Sequence, residues 1–284
     1  MIDLEHILER IHEIPPMPDV VLKVLELAED EECSAKDLVE VIKLDQGITL
    51  RVLRLCNSAH YGLPRQVHSL QDALVFLGNS TLVNFILTSY VTDHLQAANA
   101  GYGLAAGDLW RHAVAVALAS DIIGQHHSRR KDTGLLFTAG LLHDMGKIIL
   151  NDYLLAELHR IDEHLSATGC SFIEAERAVI GHTHAEIGGH LADHWNLPQV
   201  LVNAILHHHE PLQAEEHTQE VAVIHLANIL CLSLGYGLGR DGLRHHFEPE
   251  ALKLLGLTEN DLLALAADLH SSFEKAVALI RLAH

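Results

Sequence analysis

Residues 134–147 read GLLFTAGLLHDMGK. Nine uncharged residues, Gly134 to Leu142, lead directly into His143-Asp144 without the alternation of a strand, so the stretch reads as a helix buried on most of its surface. A carboxylate at the end of such a helix is costly to bury unless it is paired or bound to a cation. A neutral imidazole beside a carboxylate suits Zn, Fe or Mn, and the carboxylate can bridge two ions; a capping role for the pair is the plainer alternative. Gly146 permits close backbone approach and Lys147 offers a point charge for a phosphate.

Outward from this stretch the periodicity stays helical in both directions, with apolar residues at three- and four-residue intervals. Upstream, Val20, Val21, Val24, Leu25 and Leu27 share one face, with Pro18 placed at a helix start. Ser34, Asp45 and Ser69 are expected N-caps, and Gly78 a C-terminal stop. The segment 96–107, QAANAGYGLAAG, reads as a loop between subdomains. Helices are expected to follow from Asp108, from Asp132 or Thr133, over LLAELHRIDEHL, SFIEAERAVI, HAEIGGHLADHW, PQVLVNAILHH and QEVAVIHLANILCLSLGY, and from Thr258 to the end. The expected fold is all-α with two helical subdomains: an N-terminal one over 1–96, a metal-binding helical bundle over 108–236, and a helical extension over 237–284.

Composition narrows the function classes. The net charge of −19 repels nucleic-acid phosphates, so no nucleic-acid partner is expected. No apolar run reaches the ~18 residues of a membrane span, and the acid-bearing start MIDLEHILERIHEIPPMP lacks the form of a signal peptide. A cytoplasmic protein without a membrane partner is the expectation. Cys33, Cys56, Cys170 and Cys231 are far apart and form no CxxC pair, which points to reduced thiols. The 24 histidines make a metal site plausible and also make any one histidine less telling.

Context therefore has to choose among them. His112 enters an apolar helix, WRHAVAVALAS, where a satisfied core histidine is the plainer reading. Asp108, one turn earlier, is expected to orient His112, to serve as an additional ligand or to cap the helix. Among His182, His184, His190 and His194, His184 is selected because Ala185 and Gly188 allow a neighbouring helix to approach it. The triplet His207-His208-His209 ends another apolar helix and is expected to supply at least one ligand, a surface cluster being the alternative.

The order of these pieces is His112, His143-Asp144-Met145-Gly146-Lys147, His184 through Gly188, and His208-His209-Glu210. It resembles the HD superfamily of metal-dependent phosphohydrolases, and especially its branch shared with HD-GYP domains. Ile14-Pro15-Pro16-Met17-Pro18, then Leu53-Arg54-Leu55-Cys56-Asn57-Ser58-Ala59 with Tyr61-Gly62, and Ser69-Leu70 through Ala73-Leu74 and Leu77-Gly78 resemble the HDOD family. That resemblance covers roughly residues 10 to 210 and implies a bacterial signal-transduction module, with a signalling protein or a phosphate-containing small ligand as partner. It also implies one or two divalent ions, Fe, Mn, Zn or Mg, held by His112, His143, Asp144, His184, His208 and His209. If the domain is a metal-dependent phosphohydrolase or phosphodiesterase, Asp144 and Lys147 are the expected catalytic residues, Asp144 bridging the ions and Lys147 steadying a phosphoryl oxygen. The last family aspartate falls at Asn228, which offers a carbonyl oxygen without the charge. No Gly-Tyr-Pro segment follows Glu210.

Overall fold

A computed structural model describes residues 2, 4–29, 34–57, 66–128, 134–242 and 244–283. Among them every regular element is helical, and the only bridge of strand type is the isolated pair Asn99–Leu104. The expected all-α fold is what the chain adopts.

The chain forms two compact units. One comprises Met17–Val91 with His270–His284; the other comprises Met1–Pro16 with Thr92–Leu269. This division differs from the expected 1–96, 108–236 and 237–284 at both ends. The first helix, α1 (Leu4–Glu13), belongs with the later chain because it packs its buried Ile7 and Ile11 in that unit, where Ile2 N–H also donates to Ile180 O.

The smaller unit contains α2 (Asp19–Glu29), α3 (Ala35–Ile42), α4 (Gln46–Cys56), α5 (Leu70–Leu77) and most of α6 (Asn79–Leu95). The caps are those the sequence signals. Ser34 forms a capping box with Asp37, Asp45 accepts from Ile48 N–H, Ser69 accepts from Asp72 N–H, and Gly78 ends α5 at φ +79°. Asn57 accepts from Val67 N–H and donates to Val67 O, so this residue of the HDOD-like motif ties two segments together. Ser58, Ala59, Tyr61, Gly62, Cys33, Asp132 and Thr133 lie outside the described residues. Cys56 and Cys231 are buried free thiols, and Cys170 is half-buried and free.

The larger unit contains α7 (Asp108–Ser128), α8 (Gly134–Leu142), α9 (Gly146–Ala156), α10 (Leu158–Thr168), α11 (Phe172–Val179), α12 (His184–His194), α13 (Gln199–His207), α14 (Thr218–Ser233) and α15 (Pro249–Leu255). It also holds the first part of α16 (Glu259–Ala283). The expected helix over LLAELHRIDEHL is two helices, because the chain breaks at Glu157. Residues 96–107 are not a linker. Gly101 N–H donates to Asn151 Oδ1, and the fully buried Tyr102 reaches Glu176, so tertiary contacts draw this glycine-rich stretch into the core of the larger unit.

Candidate metal centre

The apolar α8 stops at Leu142, and a tight turn carries His143 and Asp144 into the interior before α9 begins at Gly146. Gly146 is needed there: a Cβ at that position would lie 1.9 Å from His184 O, so the start of α9 presses directly on the backbone of α12. That contact puts the Asp144 carboxylate beside the first residue of α12. His112 comes from α7, and His208 and His209 from the end of α13.

All six residues of the expected set meet. His112, His143, Asp144, His184 and His208 are 0–2% exposed, and His209 is 7% exposed. Asp144 Oδ2 lies 3.5 Å from His112 Nε2 and 3.4 Å from His143 Nε2. Its Oδ1 lies 3.3 Å from His184 Nε2 and 3.7 Å from His208 Nε2. Two groups of three can each hold a metal ion, His112-His143-Asp144 and His184-His208-His209. His182 is half-buried, while His190 and His194 are exposed.

The far nitrogens of the rings set their protonation. His112 Nδ1–H donates to Tyr236 O at 2.9 Å, His143 Nδ1–H to Gly140 O at 2.8 Å, and His208 Nδ1–H to Ile205 O at 2.7 Å. Each acceptor is a carbonyl, so in the neutral ring Nε2 carries a lone pair, and that lone pair faces Asp144. No hydrogen-bond partner satisfies His112 Nε2, His143 Nε2, His208 Nε2 or Asp144 Oδ1. Asp144 Oδ2 has only the Lys147 ammonium, 2.7 Å away and out of hydrogen-bond alignment. Such a convergence of bare acceptors is unfavourable by itself and is what a cation relieves. Donor atoms sharing one ion at bonds of about 2.0–2.2 Å stand roughly 3–3.5 Å apart, which the separations from His112, His143 and His184 match and the 3.7 Å from His208 slightly exceeds.

Burial pushes His112 down to about 4 and holds His208 and His209 well below the usual imidazole range, so all three stay neutral at pH 7. Burial would also lower His184, but Glu176 overrides it and the ring is pushed up to about 9. Its Nδ1 lies 2.8 Å from Glu176 Oε2, and its Nε2 lies 2.9 Å from His209 Nε2, which accepts a hydrogen bond from it. Burial alone would raise the Asp144 carboxyl; the Lys147 ammonium 2.7 Å away opposes that, and the carboxyl is held well below the carboxylate range.

Several residues of the site carried no periodic or motif signal. Glu176, fully buried on α11, accepts from His184 N–H, His184 Nδ1–H and Tyr102 O–H. Asp241 pairs with Lys147 at 2.6 Å. His225 is a satisfied core histidine, donating from Nδ1 to His208 O and accepting Glu248 N–H at Nε2. Asp108 does not orient His112: it accepts Ala105 N–H at the start of α7, and the Tyr236 carbonyl orients the ring instead. Asn228 is 3% exposed on α14, its Oδ1 without a partner. Of the six expected ligands, only His209 also lines an open cavity of 680 Å³, with Arg177, Arg244 and His245 among its walls.

A family model described as the HDOD domain matches residues 14–211. An HDOD domain protein of unknown function from Geobacter sulfurreducens is 26% identical with a TM-score of 0.70, and 99% of each chain is covered. A conjectured signal transduction protein of Marinobacter aquaeolei shares the fold with a TM-score of 0.78 at 23% identity, over 97% of this chain and 61% of that one. An uncharacterized protein of Treponema pallidum is 26% identical over 94% of this chain, which spans about half (51%) of that relative's length.

Proposed function

The chain belongs to the HDOD family, and from that premise we propose that it is a signal-transduction module whose larger unit holds divalent metal and acts by binding a phosphate-containing ligand or a protein partner. The observation that carries this reading is the set of lone pairs on His112, His143, His208 and Asp144, all turned inward and without a hydrogen-bond partner, the Lys147 ammonium beside Asp144 Oδ2 being out of alignment. His184 joins them through Glu176, the carboxylate–histidine arrangement that orients metal ligands. An ion held there supplies Lewis-acid polarisation of a phosphoryl oxygen. In a chain of net charge −19, it also supplies the local positive charge that an anionic ligand needs.

A second reading, a metal-dependent phosphohydrolase or phosphodiesterase, has one observation in its favour: the two oxygens of Asp144 face different histidines, the arrangement of a bridging carboxylate. Asn228 weighs on the other side, because a carbonyl holds a cation less strongly than a carboxylate.

Purification without added metal, followed by elemental analysis and a phosphodiester turnover assay with Mn or Fe, tests both. Bound metal without turnover supports the module, and turnover lost in Asp144→Ala supports the enzyme. A wild-type chain that takes up no metal defeats both readings. Asn228→Asp is expected to raise metal affinity; unchanged stoichiometry and affinity would remove Asn228 from the site.

A further inference from the structure

Lys147 has a partner that neither the metal reading nor the phosphate reading uses. Its ammonium lies between Asp144 Oδ2 at 2.7 Å and Asp241 Oδ2 at 2.6 Å, and its Nζ is 5.4 Å from the centre of the Tyr102 ring. Lys147 is 3% exposed and Asp241 1%, so this ammonium beside the candidate metal ligands is sealed from solvent and already holds an oxyanion. That oxyanion comes from a residue 94 positions away in the chain.

The loop 235–242 delivers it. Tyr236 O accepts a hydrogen bond from His112 Nδ1–H at 2.9 Å, and Arg240 N–H donates to Tyr102 O at 2.6 Å, so both flanks of the loop are fastened to residues of the site. Gly237 has φ +70°, and a Cβ there would come within 2.5 Å of His112 Cβ, so the backbone lies against the ligand itself. Outside, Arg240 Nη1 grips both oxygens of Asp162 at 2.9 Å, an ion pair about half exposed. Just beyond the loop, Arg244 N–H donates to Asp241 O, and Arg244 and His245 form part of the wall of the 680 Å³ cavity.

A buried ion pair contributes little net stability once its desolvation is counted, so fold stability alone is a weak account of Asp241. A carboxylate oxygen at 2.6 Å from an ammonium makes the contact that a phosphate oxygen would make. We propose that Lys147 is an anion-binding residue kept occupied by the chain's own Asp241, and that a phosphate oxyanion must displace this carboxylate to engage Lys147 beside the metal cluster. The loop 235–242 is then a built-in blocking group: closed with Asp241 on Lys147, and open when a ligand takes its place. The inference rests on the metal-module reading.

Inorganic phosphate is the probe, titrated calorimetrically into metal-loaded full-length protein. Asp241→Asn removes the internal anion and is expected to bind phosphate about tenfold more tightly than wild type, the worth of one charge-assisted contact. Adding Lys147→Met to it is expected to abolish the gain. Equal phosphate affinity in Asp241→Asn and wild type, at equal metal content, overturns the blocking role and leaves the metal reading standing. A wild-type chain without metal overturns that reading and the proposal with it. If Asp241→Asn does not fold, Asp162→Ala loosens the outer clasp at Arg240 without touching the buried pair. Faster hydrogen exchange at the Arg240 and Gly242 amides with tighter phosphate binding is then expected, and unchanged phosphate affinity overturns the proposal.

Discussion

At the scale of single residues, the centre is governed by where each proton sits. Glu176 accepts from the Nδ1 of His184, and the ring's raised affinity for a proton, to about 9, means that metal-free His184 carries a second proton on Nε2 at pH 7. A metal must displace it. Metal uptake at pH 7 is therefore expected to release about one proton, and affinity to rise with pH until about pH 9. Calorimetry in two buffers of different ionisation enthalpy measures this, and buffer-independent heats would contradict it. Glu176→Gln removes the carboxylate that orients the ring, and metal affinity should drop by about 10–100-fold, read by competition with a chelator. Asp144→Ala removes the carboxylate whose two oxygens face histidines of both groups, and metal content measured by elemental analysis is expected to fall to background.

At the scale of elements, the site depends on how closely α9 approaches α12. A methyl at Gly146 would meet the His184 carbonyl at 1.9 Å, and helix backbones cannot yield as a flexible side chain can. Gly146→Ala is expected to cost at least about 1–3 kcal/mol in urea unfolding, through forced displacement of packed elements, and to weaken metal binding because α12 carries His184. The helices themselves were legible because their causes are local: apolar spacing, Ser34 and Asp45 as caps, and a glycine stop at Gly78. The break at Glu157 was not legible, since LLAELHRIDEHL has continuous helical periodicity and no proline or glycine to interrupt it.

At the scale of the whole molecule, the histidines shape how stability depends on pH. His112 and His245 are pushed down to about 4 by burial, and His208 and His209 are held low for the same reason. Their native values lie below the unfolded value of about 6.5. Their contribution is therefore complete above pH ~6.5 and lost as pH falls toward ~4. His184 has the opposite sign: with its native value near 9, its contribution is full below ~6.5 and lost as pH rises through ~9. Thermal melting of the metal-free protein should decline steeply on the acid side and more gently on the alkaline side. Bound metal should flatten the alkaline limb by replacing the His184 proton. A melting temperature constant from pH 6.5 to 4 would contradict the neutral buried rings. The sequence by itself determined the all-helical class, the caps and the costly placement of Asp144 after an apolar run, because these depend on neighbours within a few residues. It also marked out the six candidate ligands, through their resemblance to a known order of histidines. Only the tertiary structure decided that Glu176 orients His184, that Tyr236 rather than Asp108 orients His112, and that Asp241 occupies Lys147. Tyr236 lies 124 residues from His112 and Asp241 lies 94 from Lys147; at such separations no helical period relates the partners, and packing alone brings them together.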